Sequence, residues 1–183
     1  MPDHVVVPMA GGSLITKVGK SIKEFYKLGL ITAKQCKIHG AQASGCAPIT
    51  TAMKEGWELF KPVRPHTIAK SLAIGNPADG FYSLKTMRES GGWGEDVSDE
   101  EIVAAIKLLA ESEGVFAETA GGVTLGVTKK LIHQGRIKKD ESVVICITGN
   151  GLKTQEAVAH HVGKPEIIDA KIDEFDAVYK ESV

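Results

Sequence analysis

Apolar positions change period along this chain in a regular order. His4 to Pro8 contains the run Val5-Val6-Val7, the mark of a strand buried on both faces. It runs into Met9-Ala10-Gly11-Gly12-Ser13. Ile15, Val18, Ile22 and Phe25 then recur at helical spacing, and Gly29 follows as the C′ residue. Residues 37–43 read as a second strand, and 47–60 as a helix with Pro48 in its first turn. Residues 61–79, with Pro62, Pro65 and Pro77, are irregular and long enough to carry function. Residues 80–90 are helical, closed by Gly91-Gly92. Ser98-Asp99-Glu100-Glu101 is a capping box, opening a helix with Ile102, Ile106 and Leu109 on one face. Residues 114–118 return in extended form, and Ala120-Gly121-Gly122 opens a helix with Val123, Val127 and Leu131 in line. Residues 142–148 form the clearest strand, broken by Gly149-Asn150-Gly151. A short helix is expected over 154–160, and Ile172, Phe175 and Val178 predict a small amphipathic helix in the tail.

Strands alternating with helices predict an α/β fold, a mainly parallel sheet flanked by helices. The length, 183 residues, suits one domain, and 43% apolar residues suffice for a core. With 22 Lys+Arg against 23 Asp+Glu the net charge is −1, which excludes nucleic-acid binding by bulk charge. Aromatic residues, at 5%, are too few for an extended base-stacking surface. Cys36, Cys46 and Cys146 are odd in number and lack C-x-x-C spacing, against a disulfide framework or a Cys-rich zinc site. Cys146 lies in an apolar run and is expected in the core. No apolar run reaches membrane-spanning length, and the first residues lack a basic segment followed by an apolar one. A cytoplasmic protein is therefore expected.

Small residues gather at three strand-to-turn junctions, 9–13, 119–122 and 148–151. Ligands of open α/β sheets bind at the carboxyl ends of strands, where glycine lets backbone N–H groups approach an anion. The 9–13 turn is a candidate phosphate cradle, with a ligand-free tight turn as the competing reading. Known phosphate motifs fail: Leu14 stands where a P-loop ending in Gly19-Lys20-Ser21 needs glycine, and Thr154 replaces the third glycine of a dinucleotide fingerprint. No G-x-S-x-G elbow is present. His160-His161 and the acidic residues Asp169, Asp173, Glu174 and Asp176 read as solvated surface, and no metal site is expected. Asp96, Asp99, Glu100 and Glu101 read as helix-capping charge, and Trp57 and Trp93 as packing residues.

Together these junctions resemble the threonine synthases, pyridoxal-phosphate enzymes of the tryptophan-synthase-beta-like family. Val7-Pro8-Met9-Ala10-Gly11-Gly12-Ser13-Leu14-Ile15-Thr16-Lys17 resembles their phosphate-binding segment. Gln42-Ala43-Ser44-Gly45-Cys46-Ala47-Pro48 is similar to Q-A-x-G-C-A-P, and Thr67-Ile68-Ala69 with Ile74-Gly75-Asn76-Pro77 to T-I-A … I-G-N-P. Val97-Ser98-Asp99-Glu100-Glu101-Ile102 resembles V-S-D-E-E-I. Glu118-Thr119-Ala120-Gly121-Gly122-Val123-Thr124 and Thr148-Gly149-Asn150-Gly151-Leu152-Lys153 complete the series. Six pieces in register cover roughly residues 4 to 155.

The resemblance implies a partial large domain of that fold, residues 1–183, with pyridoxal phosphate as cofactor. Ala10, Gly11, Gly12, Ser13 and Leu14 would hold the cofactor phosphate through backbone N–H groups, although the two Asn of the frequent G-N-x-G-N pattern are missing. Thr148 would hydrogen-bond the pyridine nitrogen; the competing reading is a hydroxyl capping its own turn. Gly121 and Gly122 would let backbone approach the ring. The family's Schiff-base lysine belongs to an S-[FY]-K-D-like motif absent from these 183 residues. No lysine here takes its place: Lys17 and Lys20 read as solvated, and Lys153 is not the Schiff-base residue. The lysine-bearing N-terminal half or a partner chain, and the small domain, are expected outside this chain, with a homodimer for the complete enzyme. The chain alone is expected to be inactive, and unstable or associating. The implied reaction converts O-phosphohomoserine and water to threonine and phosphate. A threonine or serine dehydratase, another enzyme of the same fold, and a lysine-less binding relic are the alternatives.

Overall fold

The computed structural model describes residues 1–32, 35–163 and 166–181. Four strands form one sheet, β1 (His4–Pro8), β2 (Lys37–Ala43), β3 (Gly94–Val97) and β4 (Val143–Ile145), in the order β3-β2-β1-β4. All pairings are parallel, with Val6 level with both His39 and Ile145, and Ala41 with Glu95. Because side chains alternate across a strand, β1 feeds two cores. Val6 packs with Ala41, Val97, Ile102, Val123 and Val127 on the face covered by α4 (Asp99–Glu113) and α5 (Thr119–His133). Val5 and Val7 pack with Ile15, Ile49, Leu84 and Met87 on the face covered by α1 (Ser13–Lys27), α2 (Pro48–Lys54) and α3 (Gly80–Ser90).

Several expected elements stand where the sequence places them. α1 is C-capped by Leu28, with Gly29 following at φ 69°, and α3 is C-capped by Gly91, at φ 71°. Ser98 and Glu101 form a reciprocal capping box at the start of α4. Others differ. α2 stops at Lys54 rather than 60, because Gly56 takes φ 70° and turns the chain. β4 is three residues long, and residues 154–160 hold only a 3₁₀ turn, Gln155–Ala157. Residues 114–118, expected to be extended, pair with the rest of the chain through a single bridge, Ala117 with Asn150. β3 has no counterpart in the apolar pattern, since Gly-Glu-Asp-Val lacks the usual strand residues. The tail helix α6 (Ile172–Glu181) forms, but Ile172, Phe175 and Tyr179 remain exposed.

Two of the quoted motifs turn out to be internal ties. Gln42 Oε1 accepts the N–H groups of Ile49 (2.9 Å) and Thr50 (3.0 Å), capping α2 where Ala47 has no side chain to do so. Asp99 accepts the Thr67 hydroxyl at 2.6 Å and the Ile68 N–H at 3.2 Å, pinning the long irregular segment to α4. Asp96 is not a capping charge. It is ion-paired with Lys54 at 2.5 Å and accepts the Ser44 hydroxyl at 2.5 Å. Cys146 is half-buried against the second core. Among the described residues no helix is long and apolar enough to cross a membrane.

Candidate functional site

The connections from β1 and into β4 lie on opposite faces of the sheet: α1 leaves β1 on one side, while α4 and α5 lead to β4 on the other. The carboxyl ends of β1 and β4 therefore flank a topological switch point, where open α/β sheets form their ligand crevice.

The turn after β1 is held from behind. The Asp79 N–H donates to Gly11 O at 2.8 Å, and the hydroxyls of Ser83 (3.2 Å) and Thr16 (2.8 Å) donate to Gly12 O. Gly12 is the N-cap of α1, at φ 92°, and a Cβ there would stand 2.3 Å from Ser83 Oγ. Only glycine meets both demands. The first intrahelical bond is Thr16 N–H to Gly12 O, and no side chain caps the helix. The N–H groups of Ser13, Leu14 and Ile15 are thus without an intrahelical acceptor, at the positive end of a fifteen-residue helix with no acidic residue in its first turn. This arrangement accepts an anion.

A depression of about 370 Å³ opens on that turn. Pro8, Ala10, Gly11, Gly12, Ser13 and Leu14 line one side, Thr148, Glu118, Ala120 and Lys153 another, and Ser71 and Leu72 of the long irregular segment contribute as well. The six residues that the resemblance gives to the phosphate and the ring nitrogen, Ala10 to Leu14 and Thr148, all line this one space. Gly121 and Gly122 do not reach it. Their missing Cβ atoms allow close packing inside the protein, against Ala117 and Ile147 for Gly121 and against Ile102 and Ile106 for Gly122. Lys17 and Lys20 are exposed on α1, Lys20 beside Glu24 at 3.4 Å. A larger groove of about 420 Å³ lies between α1, α3 and the start of β2. It is mostly apolar, and two of its charged groups, Lys23 and Glu89, already pair with each other. The smaller depression is the better candidate because it joins free backbone donors to a hydroxyl and a buried carboxylate.

That carboxylate belongs to Glu118, at the N-cap of α5, whose side chain is 4% exposed. Its Oε2 stands 3.2 Å from Lys153 Nζ, an ion pair not aligned as a hydrogen bond. The sequence reading missed this pair and the contribution of Ser71 and Leu72. Glu118 and Lys153 stand inside quoted motifs, but burial of the one and its contact with the other depend on residues far apart in the chain.

A glycine turn opening an uncapped helix at the switch point of a parallel sheet gives this α/β protein the geometry of an anion-binding crevice. The family model described as "Pyridoxal-phosphate dependent enzyme" matches residues 1–149, and the chain belongs to that family, whose cofactor is pyridoxal phosphate. Curated relatives include threonine synthases from Methanosarcina acetivorans (40% identical, covering 94% of this chain and 43% of the relative) and Methanocaldococcus jannaschii (37%, covering 99% and 45%). The chain therefore spans about half the length of the curated relatives it matches. Similar solved structures include the processed threonine deaminase isoform 2 of Solanum lycopersicum (TM-score 0.66, 21% identical, covering 89% of this chain and 45% of that one). An L-serine ammonia-lyase from Rhizomucor miehei is another (TM-score 0.67, 20% identical, covering 85% and 49%). These structures share the fold.

Proposed function

We propose that this chain supplies the phosphate cradle and the ring-nitrogen partner of a pyridoxal-phosphate site of threonine-synthase type. The observation that carries this reading is the uncapped N-terminus of α1 standing across one depression from Thr148. The residues fit the cofactor: Gly12, at φ 92° and packed against Ser83 and Asp79 behind the turn, shapes the opening of α1, and the N–H groups of Ser13 and Leu14 have no partner within α1. In this reading those donors and the helix dipole hold the cofactor phosphate. The Thr148 hydroxyl donates to the pyridine nitrogen, and as a neutral group it does not keep that nitrogen protonated as a carboxylate would. Bound pyridoxal phosphate supplies an electron sink for bonds at the amino-acid substrate.

The relatives' name, threonine synthase, supports the reaction that the resemblance implies, O-phosphohomoserine and water giving threonine and phosphate. The Schiff-base lysine is assigned to a segment outside these 183 residues, as the absence of an S-[FY]-K-D-like motif suggests. The chain by itself binds the cofactor without turning over substrate, and residues 1–183 are part of a large catalytic domain.

The test is a thermal titration of the chain with pyridoxal phosphate, compared with Gly12→Ala and Thr148→Val. A rising melting temperature that both substitutions weaken supports the reading, since a ligand of the native state stabilises it by mass action. No shift at saturating cofactor, with the lysine-bearing half also present, overturns it. With that half present, phosphate release from O-phosphohomoserine marks the synthase, whereas 2-oxobutanoate from threonine marks a dehydratase.

A further inference from the structure

We infer that Glu118 and Lys153 form a clamp that sets the position of the Thr148 hydroxyl, making both of them positioning residues. The inference rests on the reading of Thr148 given above and goes beyond it, to what holds that residue in place.

Thr148 has little support of its own. Strand β4 ends at Ile145, and the Cys146 N–H still reaches Val6 O at 3.0 Å. Beyond it the chain leaves the sheet, and Thr148 is exposed at the rim of the depression. Support comes instead from residues 116–119, at the entry to α5. The Glu118 N–H donates to Gly149 O at 3.0 Å, and the Gly151 N–H donates to Phe116 O at 2.8 Å. The Glu118 side chain lies directly under Gly149: a Cβ on that glycine would stand 2.2 Å from Glu118 Oε1.

The ion pair closes this arrangement into a ring. Glu118 braces Gly149, the chain continues through the 3₁₀ turn Gly151–Lys153, and Lys153 returns to Glu118 Oε2 at 3.2 Å. Oε2 is buried and has no hydrogen bond, and Lys153, whose side chain is 64% exposed, is the only cation lining the depression among the described residues. A buried carboxylate stripped of its one countercharge is strongly unfavourable. Without Lys153, Glu118 is left as an unpaired buried charge lying against Gly149, the residue next to Thr148. The geometry therefore couples the surface lysine to the hydroxyl.

Lys153→Met and Lys153→Arg in the full chain test the clamp, with Thr148→Val as reference. The first readout is amide hydrogen exchange at Glu118 and Gly151; the second is the dissociation constant for pyridoxal phosphate by equilibrium dialysis. With methionine, exchange at both amides is expected to rise roughly tenfold, while the Met9 amide, just past β1 and bonded to Ala41 O, stays protected. The dissociation constant is expected to rise roughly tenfold as well, and arginine to restore both values. Unchanged exchange with methionine overturns the clamp. Faster exchange with unchanged affinity, while Thr148→Val weakens binding, overturns the positioning role. If Thr148→Val also leaves affinity unchanged, the assignment of Thr148 to the ring nitrogen fails, and the inference falls with it.

Discussion

His4 Nδ1 lies 2.9 Å from His39 Nε2, and both rings are buried, one on β1 and the other on β2. The Trp93 N–H donates to His39 Nδ1 at 3.0 Å, so that nitrogen keeps its lone pair. A neutral His39 then carries its proton on Nε2 and donates to His4. His4 Nε2 in turn stands 3.0 Å from Glu141 Oε2, close enough to pair with it. The chain of contacts joins β1, β2 and the segment just before β4 at the end of the sheet away from the candidate site.

Acid should undo this arrangement. Burial, and then the charges of His4, Lys37 and Arg136, lower the His39 pKa to about 4, with Glu141 opposing them. In the unfolded chain a histidine titrates near 6.5, so between those values the unfolded state binds more protons. The stability contributed is fully present above about pH 6.5 and is lost as pH falls toward 4, on the order of 3 kcal/mol in all. Urea unfolding at pH 7.5 and at pH 4.5 measures it, and His39→Gln should flatten the difference.

The glycines of the turn after β1 should differ in tolerance. Gly12→Ala meets both a φ of 92° and the Ser83 hydroxyl, and about 1–3 kcal/mol of stability should be lost. The nearest atom to a Cβ on Gly11 is Ile74 Cδ1, at 3.9 Å, so Gly11→Ala should cost under about 1 kcal/mol. Chemical denaturation of the two variants separates them.

Lys54 neutralises two carboxylates at once, those of Glu95 and Asp96. Burial pushes the Asp96 pKa up, but hydrogen bonds from Lys54 and Ser44 outweigh it and hold it below the ordinary carboxylate value. Lys54→Met should destabilise the protein by roughly 2–3 kcal/mol at neutral pH. The deficit should shrink in acid as the freed carboxylates protonate, which unfolding curves across pH would register.

Strand β4 forms one edge of the sheet, with Val144 47% exposed. An uncovered apolar edge invites pairing with another chain. Sedimentation of the chain alone should show association that rises with concentration, and Val144→Lys should reduce it.

Legibility in the sequence followed the range of the interactions. α1, α3 and the start of α4 could be placed because Gly29, Gly91 and the Ser98–Glu101 box act within a few residues of the backbone they shape. β3 escaped notice because its pairing with β2 and the partners of its Glu95 and Asp96, not a run of strand-forming residues, hold it in place.

The candidate site divides along the same line. The glycine turn, the helix it opens, and the motif resemblance that marks Thr148 were all present in the sequence, because local backbone chemistry and short motifs are written in consecutive residues. That the turn and Thr148 share one depression follows from strand order alone, with β4 beside β1 despite more than a hundred residues between them. The burial of Glu118 and its pairing with Lys153 were likewise decided by the tertiary structure, since the environment of a charge is set by whatever the fold packs around it.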